Sequence, residues 1–332
     1  MVYLIGAGPG AADLLTLRAL RALERSDHLI CDRILGHDFI AQTGLAVDGK
    51  VVEWLGHGTQ GPERQDLIND RLVALARAGK VVARVKNGDP LVFGRGTEEA
   101  DALEAAGLRW EFVPGLSSSI STLTNAGYAI TNRGRGRSFA VVSARLAGGS
   151  FNQALPQAES LVVLMGFKVL ADLAQAMRDQ GWAPTTPAVL IERGTGPYEK
   201  RIESDIDHIA ADAATAGISS PVLLAVGTVA ERRYASQQRP RILFTGRDPG
   251  PWRHLGDLLH WPTHQADGAA AVALQACPPA HAVLCVTSGA ELEIWSAHHP
   301  ISGELWTVGD DAATTAARLG LPIAVQLTAT NQ

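Results

Sequence analysis

Arg84-Val-Lys-Asn-Gly-Asp-Pro-Leu-Val-Phe-Gly-Arg-Gly-Thr-Glu-Glu99 carries a strand end, two turns and a helix start in one short run. The β-branched segment Val81–Val85 predicts a strand that runs out at Lys86. Asn87-Gly88-Asp89-Pro90 predicts a turn, since each of these residues favours one for its own reason. Gly94-Arg95-Gly96 then brings an arginine, expected to be buried between its glycines, to the start of a helix over Glu98–Ala106.

The same rhythm extends in both directions. Val2–Ile5, His28–Cys31, Ser138–Val142, Ser160–Leu164, Ala188–Ile191 and Val222–Val226 read as strands. Thr16–Arg25, Asp66–Ala78, Val169–Gln180 and Ile206–Ala216 read as helices. This alternation predicts the α/β class, with sheets covered on their faces. Residues 145–151 form a small-residue loop inside the second sheet. Residues 231–240 are polar, end in proline and lack apolar periodicity, which predicts a linker. Roughly 95 residues follow it, with strands expected at Arg241–Thr245, Ala282–Val286, Leu305–Val308 and Ile323–Leu327. They suffice for one small α/β domain. The expected division is 1–115, 116–232 and 240–330.

Composition narrows the function. The chain has 332 residues, 46% of them hydrophobic, enough for a sizeable core. No apolar run of about 18 residues occurs, so no membrane partner is expected. A net charge of −5 argues against a nucleic-acid partner, and an anionic ligand would need a local arginine cluster. Cys31, Cys277 and Cys285 have no paired spacing, which fits a reduced cytoplasm and gives no metal site. The first residues lack the basic and apolar regions of a secretory leader. His254, His260 and His264 are irregularly spaced and read as surface residues.

Gly6-Ala7-Gly8-Pro9-Gly10-Ala11 lies between a strand and a helix, and Asp32 closes the next strand. This spacing satisfies a dinucleotide fingerprint. Pro9 argues against it, because proline removes an amide donor where a phosphate would sit. A nicotinamide-dependent oxidoreductase and a plain strand-to-helix turn both remain open on this loop alone.

Taken together, Gly6–Gly10 with Leu14–Arg18, Asn87–Glu99, and Val113-Pro114-Gly115-Leu116-Ser117-Ser118 resemble the motifs of the uroporphyrinogen-III C-methyltransferases. Ile130–Arg133, Leu161–Gly166, Glu192–Thr195 and Pro221–Gly227 extend the likeness in register to about residue 232. The resemblance implies a tetrapyrrole methylase fold of two α/β subdomains, with S-adenosylmethionine in the cleft between them. It also implies a homodimer, and transfer of methyl groups to C2 and C7 of uroporphyrinogen III to give precorrin-2. Another precorrin or diverged tetrapyrrole as substrate, and a non-catalytic tetrapyrrole-binding role, are the alternatives.

Carried over position by position, the implied donor contacts are Pro9, Asn87, Gly88, Asp89, Val92, Ser117, Ser118, Met165 and Gly194. Asp89 can accept from an ammonium or a ribose, although Asp-Pro is also a common turn former. Val92 and Met165 can flank an adenine. Asp32 is the implied base; it can equally cap its strand or pair with Arg33. Arg95, with a catalytic part as well, and Arg133 suit the substrate carboxylates, with Glu98 as a polar partner.

Several positions depart from the family pattern. The usual G-K-R after the third strand is replaced by Gly56-His57-Gly58, where His57 can act as the acid or be an ordinary loop histidine. Asn87 replaces a glycine, a change its tolerance of positive φ would permit. Asn132 and Ser143-Ala144-Arg145 also differ. Residues 242–249, 286–289 and 307–320 are similar to parts of uroporphyrinogen-III synthases, but the module is long enough for one lobe at most, and no synthase activity is expected of it.

Overall fold

Strand β1 (Val2–Gly6) runs through the first of three five-stranded sheets in the computed structural model. The structure describes residues 1–37, 39–56, 65–145, 155–196, 199–234, 241–244, 257–260, 283–298, 301 and 304–327. The chain divides into two compact units, Met1–Ala235 and Ser236–Gln332.

In the larger unit, β1 lies between β4 (Val82–Lys86) and β5 (Trp110–Val113). Beyond β4 come β2 (His28–Asp32) and β3 (Val51–Leu55), and every pairing is parallel. Helix α1 (Leu17–Arg25) is capped by Thr16, whose Oγ1 accepts from Ala19 N–H at 3.1 Å. Helix α2 (Phe39–Gln42) and α1 cover one face, on a core of Ile5, Leu23, Leu29, Phe39 and Val85. Helices α3 (Gln65–Arg77) and α4 (Gly96–Ala105) cover the other, against Leu4, Ile30, Leu72, Val82 and Leu103.

The second sheet is mixed. β6 (Phe139–Ser143) runs parallel to β7 (Ser160–Leu164). β10 (Val222–Gly227), β8 (Pro187–Glu192) and β9 (Lys200–Asp205) follow, each antiparallel to its neighbour. Helix α5 (Ser118–Ala126) packs on one side; α6 (Leu170–Asp179) and α7 (Ile209–Thr215) pack on the other. β5 and β9 fall outside the predicted strands. Both are edge strands, and β9 reads Lys-Arg-Ile-Glu-Ser-Asp, polar enough to resemble a loop.

The smaller unit holds β11 (Arg241–Phe244), β12 (Asp257–His260), β13 (Val283–Val286), β14 (Glu304–Val308) and β15 (Val325–Leu327). They form a parallel sheet in the order β12-β11-β13-β14-β15. Helices α8 (Gly289–His298) and α9 (Asp310–Arg318) pack around Trp295, Leu284 and Leu305. Among the described residues, no helix is long and apolar enough to cross a membrane.

Candidate active site

Two glycine loops meet at the carboxyl edge of the first sheet, where ligands of parallel α/β sheets bind. Gly8 N–H donates to Gly88 O at 3.2 Å, Gly88 N–H donates to Gly8 O at 2.7 Å, and Ala7 N–H donates to Lys86 O at 2.7 Å. Gly8 and Gly88 thus form an antiparallel bridge just beyond the end of the parallel β1–β4 ladder. Gly115 closes from the side: a Cβ on Gly6 would lie 2.6 Å from both Gly115 N and Gly88 O. Three motifs carry glycine at this level because backbone packs directly on backbone.

Asp89 ties these loops together. Its Oδ2 accepts from Gly115 N–H at 3.1 Å and its Oδ1 from Leu91 N–H at 2.9 Å. Its carboxylate therefore organises the cradle, a role the sequence did not disclose. Ser118 lies against Gly88, where a Cβ would sit 3.1 Å from its Oγ, and Asn87 Nδ2 donates to the same oxygen at 3.5 Å. Positive φ in this turn falls on Gly88, at 71°, and not on Asn87. Asn87 therefore makes no use of the left-handed tolerance expected of it. Ser117 precedes α5 and shares a 2.8 Å hydrogen bond with Ser119.

One turn along α5, Thr122 occupies the space a Cβ on Gly194 would need. Thr195 Oγ1 then accepts from Ala11 N–H at 3.0 Å, beyond Pro9 and Gly10. The loops at 6–11, 87–92, 114–119 and 193–195 consequently form a closed ring. Arg193 and Thr195 sit in it at φ of 48° and 68°, a strained conformation of the kind that collects at functional sites. Val92 follows Asp89 in the ring and is exposed; Met165, also exposed, stands at φ 57° just past the end of β7.

The ring removes the dinucleotide reading of the first loop. The amides of Ala7, Gly8 and Ala11 are engaged and Pro9 has none. The loop leads into a 3-10 turn at Ala12–Leu14, while α1 begins only at Leu17. No row of free amides at a helix start remains for a pyrophosphate.

Beside the ring lies a buried set of charges. Asp32 ends β2 at the level of Lys86 in β4, by the register that pairs Cys31 with Val85. Its Oδ1 accepts from Arg84 Nη2. Arg84, only 2% exposed, donates from Nε to Glu99 Oε1 at 2.9 Å and from Nη1 to Ile30 O at 3.3 Å. Lys86 Nζ donates to the same Glu99 oxygen at 2.7 Å, and Gln65 Nε2 does so at 3.3 Å. Two cations thus meet two anions, with Arg84, Lys86 and Glu99 away from water and Asp32 partly exposed. Burial works against the Arg84 charge, but Asp32 and Glu99 overcome it and hold the guanidinium above its ordinary pKa. Burial first, and Arg84 second, pull the Lys86 ammonium below its own.

The family profile of Tetrapyrrole (Corrin/Porphyrin) Methylases matches residues 1–210. The chain belongs to the tetrapyrrole methylases. It is 36% identical to an S-adenosyl-L-methionine-dependent uroporphyrinogen III methyltransferase of Arabidopsis thaliana, over 69% of this chain and 63% of that one. It is 37% identical to a siroheme synthase of Azotobacter vinelandii, over 70% of this chain and 50% of the relative. The chain therefore spans about half to two thirds of the length of these relatives. Among solved structures, it is similar to the uroporphyrin-III C-methyl transferase of Thermus thermophilus complexed with S-adenyl homocysteine. That match has a TM-score of 0.60 and 33% identity, and covers 69% of this chain and 97% of that one.

In this methylase, the arginines singled out from the sequence stand differently from expectation. Arg95 is not buried between its glycines: its side chain is 42% exposed. The glycines serve the backbone, since a Cβ on Gly94 would lie 2.8 Å from Pro90 O and Gly96 packs on the same carbonyl. The Arg95 fork closes on Glu98 through bonds of 2.8 and 2.6 Å, which hold the Glu98 carboxyl below its usual range. Arg133 lines a recess of about 400 Å³ with Asn132, Arg135, Arg232 and Tyr234. That recess lies past the far end of α5 from Gly88. His57 lies outside the described residues.

Arg84, Lys86 and Glu99 escaped the sequence reading. The signal was available: a central parallel strand covered on both faces should be apolar throughout, yet Arg84 and Lys86 recur at alternate positions on one face of β4. Among the described residues, no group of acidic, histidine and cysteine side chains is arranged to hold a metal.

Proposed function

We propose that this chain transfers methyl groups from S-adenosylmethionine to C2 and C7 of uroporphyrinogen III, giving precorrin-2 on the route to sirohaem or corrinoids. The observation that carries the reading is the ring of four loops with the Asp32 carboxylate beside it, in a chain whose relatives bear names of this activity. The ring fits the donor. Its floor is bare backbone at Gly6, Gly88 and Gly115, which allows close approach, and Asn87, Ser117, Ser118 and Gly194 line its course. Val92 and Met165 offer exposed apolar surface for a purine. We assign the donor to Pro9, Asn87, Gly88, Asp89, Val92, Ser117, Ser118, Met165 and Gly194.

The bound donor supplies an electrophilic methyl group. The protein's own task is alignment and removal, at each methylation, of one proton from the ring system as it rearranges, since the methylated carbon itself becomes quaternary and carries none. We assign the proton to Asp32. Arg84 holds Asp32 Oδ1 and fixes the carboxylate's orientation, while a side-chain exposure of 16% leaves it reachable. Arg95 and Glu98 are assigned to the substrate's carboxylate arms, with Glu98 yielding the arginine fork when an arm arrives. Arg133 is assigned to an outer arm. The replacement of the family lysine by Gly56-His57-Gly58 favours a second reading, methylation of another precorrin or diverged tetrapyrrole. His57 would then be an acid tuned to that substrate. A homodimer in the cytoplasm accompanies either reading, and we propose no synthase activity for the smaller unit.

Anaerobic incubation with S-adenosylmethionine and uroporphyrinogen III tests the first reading. The product should gain the mass of two methyl groups, and Asp32→Asn should lose turnover while still binding S-adenosylhomocysteine. Unchanged substrate beside tight binding of that analogue refutes it. Formation of the III isomer from hydroxymethylbilane would refute the assignment of the smaller unit.

A further inference from the structure

We propose that Glu99 is a positioning residue for the proton transfer assigned to Asp32, acting through Arg84, with Lys86 as its electrostatic counterweight. The proposal rests on the assignment of Asp32 as base. It starts from an anomaly. Glu99 is fully buried; one carboxylate oxygen accepts from Arg84, Lys86 and Gln65, and the other, also buried, has no partner among the described residues. A half-satisfied buried carboxylate is a poor choice for filling space on a helix. An apolar side chain on α4 would serve the core better.

What Glu99 does contribute is geometry and charge. A guanidinium is a rigid plane. Glu99 grips Arg84 at Nε, and Nη1 is tethered to Ile30 O. These two anchors leave Nη2 only one direction, and Asp32 Oδ1 lies along it. Moving the Nε edge would swing the Nη2 edge and release Asp32.

Among the described residues, the charges around Asp32 fall on few elements. β4 supplies Arg84 and Lys86, and α4 supplies Glu99, with the exposed Arg95–Glu98 pair beyond it. On α3 the neutral Gln65 reaches Glu99, donating at 3.3 Å. Lower on the same face, His28, Glu53 and Arg71 close on one another. On β2 itself, Cys31 is a buried neutral thiol, and Arg33 follows Asp32 in the chain. Among the described residues, Glu99 and Lys86 are therefore the two buried groups whose removal changes the charge seen through Arg84 while leaving both members of the Asp32–Arg84 pair in place.

The signs of the two removals are opposite. Glu99→Gln leaves two cations against Asp32 alone, which stabilises its carboxylate and makes it a weaker base. Lys86→Gln leaves an excess of negative charge and makes Asp32 a stronger one.

The test is single-turnover methyl transfer by the full chain, followed across the acid limb of the pH profile. Glu99→Gln should move that limb down and Lys86→Gln should move it up, each by about half a pH unit or more. The double variant should return it toward wild type. Binding of S-adenosylhomocysteine and the thermal midpoint report folding. Where Glu99→Gln does not fold, Lys86→Gln and Glu99→Asp still read the coupling, the latter by partial retention of rate. Limbs that stay in place, or that move in the same direction, overturn the proposal, because general loosening cannot produce opposite shifts. An active Asp32→Asn sinks the base assignment and this proposal together. An inactive Asp32→Asn with unmoved limbs sinks the coupling alone.

Discussion

Gly56 and Asp32 are so close that a Cβ at position 56 would lie 2.6 Å from Asp32 Oδ1 and 3.4 Å from Arg84 Nη2. Position 56 also has φ of +85°, a region that costs an L-residue about 1 kcal/mol or more. Gly56→Ala should therefore destabilise by about 2–4 kcal/mol in urea unfolding. It should also slow methyl transfer at least tenfold, because the Asp32–Arg84 pair has to part. Gly49→Ala is the control. Gly49 has φ of +74° with nothing within 4 Å of its Cβ position, so only the backbone cost of about 1 kcal/mol should appear, with turnover intact.

The latch from Ala11 N–H to Thr195 Oγ1 joins the first glycine loop to the second half of the larger unit. Thr195→Val keeps the shape and removes the acceptor. One lost hydrogen bond of about 1–1.5 kcal/mol should raise the dissociation constant for S-adenosylhomocysteine roughly five- to tenfold. Calorimetric titration reads this directly. An unchanged affinity would show that the ring holds its form without this link.

Glu53 offers a pH-dependent test of stability. Hydrogen bonds from Arg71 first, and from the buried His28, hold its carboxyl below the ordinary value of 4.5. A depressed carboxylate contributes stability that is complete above its unfolded pKa and lost as pH falls through the lower folded one. Glu53→Gln should thus cost about 1 kcal/mol near neutrality, a figure kept small by the partial exposure of the Arg71 side. The gap to wild type should close on acidification below pH 4.5. Parallel urea titrations at neutral and acid pH check the convergence.

Burial pushes the Cys31 thiol up to about 12, and Cys285 likewise. Both should resist iodoacetamide in the native protein at mildly alkaline pH and react promptly in denaturant, as peptide mass mapping would show. Because the unfolded thiols ionise first, the stability they contribute should fall as pH rises from 9 toward 12.

The alternation of β-branched and helical runs was enough to reveal the α/β class, and Thr16 marked the start of α1 as a capping residue should. Edge strand β9 hid behind polar sequence, and β5, Trp-Glu-Phe-Val, is too short a run to show a period of its own. In the site, the glycine motifs were legible because close backbone approach admits no other residue. The Arg84–Glu99 cluster was not, because charges on a central strand contradict the pattern used to recognise one. Arg95 misled for a related reason: glycines on both sides imply crowding of the main chain, and say nothing of where a long side chain goes.

The paired hydrogen bonds between Gly8 and Gly88 have a mechanical consequence. Neither loop can swing out alone, so the floor of the cradle acts as an anvil, and admission and release of ligands must be governed from the opposite wall. Anyone recutting this scaffold for a new macrocycle gains nothing by grafting side chains onto that floor, where the next carbon already has no room.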